Sequence, residues 1–553
     1  MKQYFIFFFL SCILISINVT FIGLKCLADV NPQNGNYFTS FVDIIVPANN
    51  NPLTIVRMYN SQVPKIGWFG LGWGNYFETK LVVALDGSII VYENGTGAET
   101  IFTPKGASLA VDEASKKILE GIKKKTDITP HVEAKLLLKF KADARLRQFY
   151  AEELKLSANV ANGAIFTSTA GGGFFQTIVK TEKGFERTFH NGRIEIFSTT
   201  GELIKIKDVS EYIINLVYES KTLKKIKDSD GKELLFDWHP DGRVKNIWTT
   251  NDPKKAIYVY ENNKLVEATV VTGEKYKYTY DGSHMLSSIT YPDTTKIEVA
   301  YTHPLRMVKE IKDRDKVVTT YTYDNDKQSP DLHYWTTITS KSPEGIVHSK
   351  KLEYERKRNS YGQDYNYRSA SIDDGYKYET VYDEKSRPIQ ITQGVIVTNF
   401  TYTDKGLLKE KRSSNGAYSK FEYHPTLNKI IKVENNYGTS KYEYTKNGQL
   451  STATTFFGMN FHLRYDHKGF MSTLIQEDVK NKEKRILNFK YNIMGKPVEM
   501  EMEKVGKIIL EYNNFGIVKT VDPKSNKDAL NEINKAFASF VDSVSSIGYN
   551  LNI

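Results

Sequence analysis

The chain is poor in cysteine: among its 553 residues there are two, Cys12 and Cys26. Downstream of Cys26 this excludes a disulfide framework and any thiolate metal site. Only 16 prolines are present, which excludes a collagen-like or Pro-rich linker protein. Beyond residue 22 no apolar run is long enough to cross a membrane as a helix. The excess of basic over acidic residues is small as well. The formal net charge of +10 is spread over the whole chain. That is too thin to argue for nucleic acid, although it suits weak attraction to acidic glycans or envelope surfaces. A His-Glu-x-x-His helix, a P-loop lysine motif and a Gly-x-Ser-x-Gly elbow are also missing.

Tyrosine is the abundant residue. Its 35 copies nearly equal the 36 glycines, and 29 phenylalanines join them. Such planar side chains favour strands over helices. With 40% apolar and 25% charged residues, the composition is that of a globular chain.

Residues 1–28 read as an export signal. Lys2 opens it, an apolar stretch runs from Tyr4 to Ile22, and Cys26-Leu27-Ala28 forms a small-x-small site with cleavage expected before Asp29. The alternative is an uncleaved membrane anchor, against which Ser11, Ser16, Asn18 and Thr20 speak. Cleavage would remove both cysteines and two lysines, taking the formal charge from +10 to +8. Export without disulfides suits a bacterial envelope protein large enough to need none, in the periplasm, at the cell surface or outside the cell.

An internal repeat organises the remainder. An aromatic residue followed four positions later by glycine recurs at Phe197/Gly201, Trp238/Gly242, Tyr402/Gly406, Tyr444/Gly448, Tyr465/Gly469, Tyr491/Gly495 and Tyr512/Gly516. Degenerate copies that keep only the aromatic start at Tyr218, Tyr260, Tyr280, Tyr301, Tyr323, Tyr382 and Tyr423. The interval between anchors is mostly 20 to 22 residues, with room for two irregular units near Tyr354 and Tyr378. The position two before each anchor is nearly always apolar, as in Phe236, Tyr278, Phe421 and Phe489. That spacing puts both side chains on one face of a strand. The Asp, Asn, Lys and Gly that follow suit a tight turn. Each unit is therefore expected to be a β-hairpin of about 20 residues, stable only when stacked on its neighbours. On this reading the rings are packing elements rather than a ligand surface.

These units resemble the YD repeats of the RHS family, with consensus Tyr-Asp-x-x-Gly-Arg followed by an apolar residue. Tyr465-Asp466-His467-Lys468-Gly469 and Trp238-His239-Pro240-Asp241-Gly242-Arg243-Val244 carry the likeness best. Upstream, Asn34-Gly35, Val42-Asp43-Ile44, Arg57, Tyr59-Asn60-Ser61, Gly67, Gly72-Trp73 and Glu78 resemble the domain that opens many RHS proteins. The resemblance implies a mainly β fold: a hairpin strip spiralling into an open or partly closed shell, as in teneurins and insecticidal toxin complexes. Many members enclose a C-terminal toxin and free it by self-cleavage at a Tyr-rich core motif. Here only Val521-Asp522-Pro523 is similar to that element, and 30 residues follow Pro523. Neither autoproteolysis nor toxin delivery is carried over.

The domain order expected is signal peptide 1–28, opening β domain 29–107, helical insertion 108–162, YD strip 163–522 and helical tail 523–553. In the insertion, Thr129-Pro130 supplies a helix start. Val132, Leu136, Phe140 and Ala144 form an apolar stripe in a helical run to about Leu156, and Lys135, Lys139, Lys141, Arg145 and Arg147 form a solvated basic face. In the tail, Ser525 and Asp528 have capping-box spacing. Leu530, Ile533, Phe537, Phe540, Val541 and Val544 then line the face that caps the last hairpin.

Catalytic, cofactor-binding and metal residues are expected to be none. His239, His303 and His424 each precede proline and read as turn residues. His462 and His467 lack further ligands. Asp228, Asp230 and Gly231 begin a calcium loop that lacks its bidentate Glu. The function expected is a non-enzymatic, exported scaffold that contacts envelope glycans or another protein. The alternatives are a carrier enclosing a polypeptide and a glycan-active enzyme. Nucleic acid is not an expected partner, and membrane contact would run only through an uncleaved residues 1–28.

Overall fold

Rings two residues apart with polar residues between them can pair only as strands, and the computed structural model builds each repeat as an antiparallel hairpin. It describes residues 29–46, 52–63, 65–168, 176–189, 191–208, 212–220, 222–250, 252–358, 364–373, 375–466, 469–491, 497–512, 518–521 and 527–548. Residues 1–28, which carry the expected export signal, lie outside this set, as do Gly495, Gly516, His467 and Ser525.

The unit at Trp238 shows the local logic. Strands Glu233–Trp238 and Val244–Thr249 flank a turn in which Gly242 N donates to His239 O (3.0 Å) and His239 N donates to Arg243 O (2.8 Å). This is a type I turn followed by one left-handed residue, and Gly242 supplies it at φ +84°. The same pair of bonds recurs at Gly201, Gly406, Gly448 and Gly469. Where glycine is lost, His284 (φ +66°) and Ser386 (φ +58°) hold the left-handed position instead.

The residue after the anchor fixes the turn from its side chain. Asp281 Oδ1 accepts from Ser283 N and Met285 N, and Asp383 Oδ1 from Lys385 N and Arg387 N. Thr403 and Thr445 make the equivalent bond with their hydroxyls. An acceptor on a short side chain suits this position, which is Asp at 281, 383 and 466 and Thr at 403 and 445.

A bulge marks most anchor pairings, although Tyr323 pairs with Thr336 in an unbroken register. Trp238 pairs with Val244 while Asp237 pairs with Asn246, so Lys245 is the extra residue. The same shift recurs at Tyr280, Tyr402, Tyr444 and Tyr465. Bulges strengthen local twist and re-aim the side chain they insert.

The opening segment forms a four-stranded sheet in the order Asp29–Asn31, Asn36–Val46, Leu53–Asn60, Trp73–Asn75. Three further strands, Lys80–Val83, Ile89–Glu93 and Ala98–Pro104, follow, and the last pairs with Ile165–Ser168. The strip thus begins within the stretch assigned from sequence to the opening domain, and the helical insertion loops out between two paired strands.

That insertion holds α1 (Val111–Lys123), α2 (Pro130–Ala142) and α3 (Ala144–Glu153). The sequence predicts an unbroken run to about Leu156, whereas the helix stops at Asp143. Its carboxylate caps the next helix by accepting from Leu146 N (2.9 Å). The break changes the stripe: Phe140 is fully buried, but Val132 and Ala144 are exposed. Phe140 packs with Ile118, Ala114 and Ala151 of the neighbouring helices and with Leu85. Arg147 does not join the solvated basic face. It is buried against Asp86 (2.9 Å) and donates to Phe140 O (2.7 Å).

The described residues fall into two compact units, one drawn from 26–44 and 54–395 and one from 45–53 and 396–553. The second contains α4 (Lys527–Gly548). Ile533, Phe537 and Phe540 are buried, with Phe540 against Phe461 (5.4 Å between rings) and Phe537 against Phe489 (6.4 Å). Gln476 Nε2 donates to Ser539 Oγ (3.1 Å). The helix therefore lies over several hairpins between 459 and 512, more than the single last hairpin expected.

Candidate functional site

The anchor rings carry more than packing. Tyr465 Oη donates to Leu450 O (2.7 Å), Tyr444 to Ile430 O (2.7 Å), Tyr423 to Leu408 O (2.7 Å) and Tyr491 to Met471 O (2.9 Å). In the other unit Tyr218, Tyr280, Tyr301 and Tyr323 do the same to Leu203, Leu265, Leu286 and Val308. The acceptor is the first residue of the second strand in the preceding hairpin, or in the case of Leu265 the second residue. Each phenol thus staples its own hairpin to the one before. Trp238 uses its indole, with Nε1 donating to Leu223 O (2.6 Å). Phe197, at the start of the ladder, has no donor and is fully buried. Of the remaining anchors, Tyr402 is half-buried, and the side chain of Tyr512 lies outside the described set. The rings two before the anchors form the buried row: Phe236, Tyr278, Phe421, Tyr442 and Phe489 are all buried. Sequence reasoning found both rows but missed the staple, whose signal was the preference for Tyr over Phe at the anchor.

The opening-domain residues converge on a second feature. Arg57 is fully buried, and its Nε and Nη2 donate to Asp43 Oδ2 and Oδ1 (3.0 and 3.1 Å). Its Nη1 donates to Tyr278 Oη (3.0 Å), and Tyr258 Oη donates to Asp43 Oδ2 (2.8 Å). The guanidinium lies 4.7 Å from the Trp73 ring and 4.9 Å from Phe41. Every polar atom of the ion pair that faces the strip is met by a repeat tyrosine, so this is a clamp between the opening sheet and the strip.

Other carboxylates are occupied in the same way. Arg187, nearly fully buried, binds Glu93 (2.6 Å) and Glu195 (3.0 Å), and Arg193 also reaches Glu195 (3.1 Å). Burial raises the Glu195 carboxyl despite both arginines. Asp228 accepts from Tyr212 Oη (3.0 Å) and Lys232 N (2.8 Å), closing a turn rather than a calcium loop.

His333, Glu353 and Glu355 come close enough to hold a metal ion, a cluster the sequence analysis did not single out. They sit on the long strands His333–Lys341 and Val347–Arg358. Arg368, on Asp364–Asp373, donates from Nη2 to both Glu353 (2.6 Å) and Glu355 (2.5 Å), and from Nη1 to Glu379 (2.9 Å). Burial acts to raise Glu353, but His333 and Arg368 hold it below its usual range. Glu353 Oε1 and Glu355 Oε1 already accept from Arg368 Nη2, so a metal ion there would have to displace the guanidinium.

Two recesses lie near these groups. One of about 110 Å³ lies under the insertion beside Asp86 and Arg147. The other, about 480 Å³, is a groove along the Trp238 hairpin lined by His239, Arg243, Lys245, Asn246 and Tyr260. His239 stands in the turn, as the sequence implies.

With hairpin, bulge, short acceptor after the anchor and stapled ring all present, the repeat can be assigned. The architecture is a mainly β strip of hairpins similar to the YD repeats of the RHS family, with a helical insertion and a C-terminal helix. Residues 28–102 match the model of a domain of unknown function, DUF6531. Over 132 residues the chain is 27% identical to the tRNA3(Ser)-specific nuclease WapA of Bacillus spizizenii and 26% identical to the tRNA nuclease WapA of Bacillus subtilis. These matches cover 23% of this chain and 6% of each relative. Among solved structures, TcdB2-TccC3-TEV aligns with TM-score 0.37 and 10% identity, over 92% of this chain and 30% of that one. The Photorhabdus luminescens Tc holotoxin pore aligns with TM-score 0.33 and 11% identity, over 89% of this chain and 29% of that one.

Proposed function

We propose that the chain is an exported, non-enzymatic RHS/YD-repeat scaffold that presents a binding surface to glycans or to another protein. The observation that carries this reading is the contrast between its ionisable groups and its turn tips. The clustered carboxylates described above are each tied to an arginine, leaving no free convergent pair there for acid–base work. Some turns, by contrast, carry rings open to solvent. Tyr376 is 79% exposed, Tyr437 80% and Phe457 61%. Tyr437 stacks on Phe456 at 5.9 Å, making a flat aromatic platform of the kind that takes a sugar face or an apolar side chain. Export rests on residues 1–28 alone.

The test is intact-mass analysis of the exported protein and everything that co-elutes, followed by binding to a glycan panel and to cells. One uncut chain that binds without releasing product is the expected result. A co-eluting polypeptide protected from protease favours a carrier instead. Glycan turnover abolished by Glu353→Gln with Glu355→Gln would make the chain an enzyme and end the scaffold reading.

A further inference from the structure

We infer that one edge of the strip, formed by the turns at Tyr437, Phe457 and Val479, docks on an anionic lipid surface; this goes beyond the scaffold reading by saying what the scaffold rests against. Among the described residues of 396–553, three large apolar side chains are more than half exposed: Tyr437 (80%), Phe457 (61%) and Val479 (59%). They stand on three successive turns of the same edge. These join Ile430–Asn435 to Gly438–Tyr444, Leu450–Thr454 to Met459–Tyr465, and Met471–Asp478 to Glu483–Tyr491. The turns also touch. Tyr437 stacks on Phe456 (5.9 Å), Phe456 meets Phe457 (4.0 Å), and Val479 N donates to Gly458 O (3.0 Å). The anchor turns of this unit, on the opposite edge, carry no such side chain among the described residues. A contiguous apolar row confined to one edge marks a contact surface, unlike single exposed side chains.

The chemistry beside the rings selects the partner. Asn436 Nδ2 donates to Gly416 O (3.0 Å), and its Oδ1 accepts from Tyr418 N (2.8 Å). Asn435 Oδ1 accepts from Tyr437 N (2.9 Å), Ser440 Oγ from Phe456 N (3.2 Å), and Thr455 bonds Met459. These groups are engaged inside the fold, so they do not read the hydroxyls of a sugar. The same bonds let the turn backbone leave bulk water with its donors met, as an apolar medium requires.

Charge separates a bilayer from a second copy of the chain. Lys480 and Lys482 are exposed and make no ion pair among the described residues, and the Lys480 stem lies over Gly458 next to Phe457. The turns 414–417, 436–437, 455–458 and 479–482 hold no carboxylate. At the flanking strand ends, Asp478 is held by Lys480 N and Asn481, while Glu477 and Glu483 pair with Lys484 and Arg485. Two copies meeting through this edge would bring unpaired lysines together with nothing to offset them. Anionic headgroups offset them, and rings flanked by lysines suit the bilayer interface. From sequence, membrane contact is expected only through residues 1–28; this edge is a separate route.

The experiment is flotation of the exported protein with vesicles of phosphatidylcholine, with and without phosphatidylglycerol. Binding to the anionic vesicles, little to phosphatidylcholine alone, and weakening by added salt are the expected results. Tyr437→Ser with Phe457→Ser should weaken binding by about tenfold or more. Lys480→Gln with Lys482→Gln should weaken it about twentyfold, each lysine near an anionic surface contributing about a factor of five. Leu305→Ser, at another exposed apolar side chain (71%), should leave it unchanged. Unchanged urea unfolding shows that each variant keeps the fold. Every variant retains residues 1–28 as the wild type does, so a difference reports on the edge. Edge variants that bind as wild type overturn the inference. So does equal binding to both vesicles, or an equal loss in Leu305→Ser, which would mark general stickiness. If vesicles are not bound while the glycan panel or cells are, the inference falls and the scaffold reading stands. If none is bound, both fall.

Discussion

Tyr465→Phe isolates the staple from the ring. The substitution keeps the packing surface and removes only the hydroxyl that donates 2.7 Å to Leu450 O. A neutral hydrogen bond contributes a net of about 0.5–1.5 kcal/mol. The half-buried anchor keeps water from replacing it freely, so part of the desolvation cost of an unmet carbonyl, about 1–3 kcal/mol, is added. The expected destabilisation is about 1–2 kcal/mol. Tyr465→Leu removes the ring as well and should cost about 1–2 kcal/mol more, by the area no longer buried. Repeat arrays lose stability locally, through a unit and its neighbours. Hydrogen exchange should therefore rise along Leu450–Thr454 and Met459–Tyr465 and stay unchanged around Glu233–Trp238. Urea unfolding measures the total. If Tyr465→Phe unfolds within about 0.3 kcal/mol of wild type, with no local change in exchange while Tyr465→Leu still destabilises, the ring alone holds the anchor and the staple is incidental.

Two glycines with almost the same backbone should respond differently to alanine. Gly242 (φ +84°) has open space where a Cβ would stand, so Gly242→Ala should cost only the left-handed strain, about 1 kcal/mol in thermal or urea unfolding. At Gly201 (φ +88°) a Cβ would lie 1.8 Å from Leu81 O, and Gly201→Ala should destabilise the opening strands several times more. Asp43→Ala leaves Arg57 buried without its counter-ion and should cost about 3–5 kcal/mol, whereas Asp43→Ala with Arg57→Met should recover much of that in the same denaturation assay. Burial pushes the phenol of Tyr423 up to about 12 and raises that of Tyr465 further, against about 10 in an unfolded chain. Their contribution is complete below pH 10 and is lost as pH climbs through the folded values, so tyrosinate absorbance should appear late and together with unfolding. Ionisation of Tyr423 and Tyr465 themselves near pH 10, read as the absorbance missing in Tyr423→Phe with Tyr465→Phe, in a chain that stays folded would refute that sign.

The ladder of anchors was legible because ring, short acceptor and glycine recur at a fixed interval, each for a local backbone reason. The opening-domain residues were legible as a pattern, but their use was not. Arg57 and Asp43 lie 14 residues apart, and the tyrosines that complete them, Tyr258 and Tyr278, come more than 200 residues later. Only pairing across the strip brings them together. The break at Asp143 was hidden because its neighbours are good helix formers, and a capping aspartate reads like any other charge within such a run. Arg147 looked solvated for the same reason: helical periodicity places it on a face without saying that Asp86 waits there. His333, Glu353 and Arg368 escaped because their strands fall in the irregular stretch, where no repeat register assigns positions.

The staples also give the strip a direction. Each staple described above reaches back to a carbonyl nearer the N-terminus, and none of them reaches forward. A chain emerging N-terminus first always offers the acceptor before the donor arrives, so each hairpin can close onto finished structure. Trimming hairpins from the C-terminal side leaves the surviving phenols satisfied, while removing one from the N-terminal side strands the next ring without its carbonyl. As far as the staples alone are concerned, hairpins can be lost from one side without orphaning a phenol and not from the other.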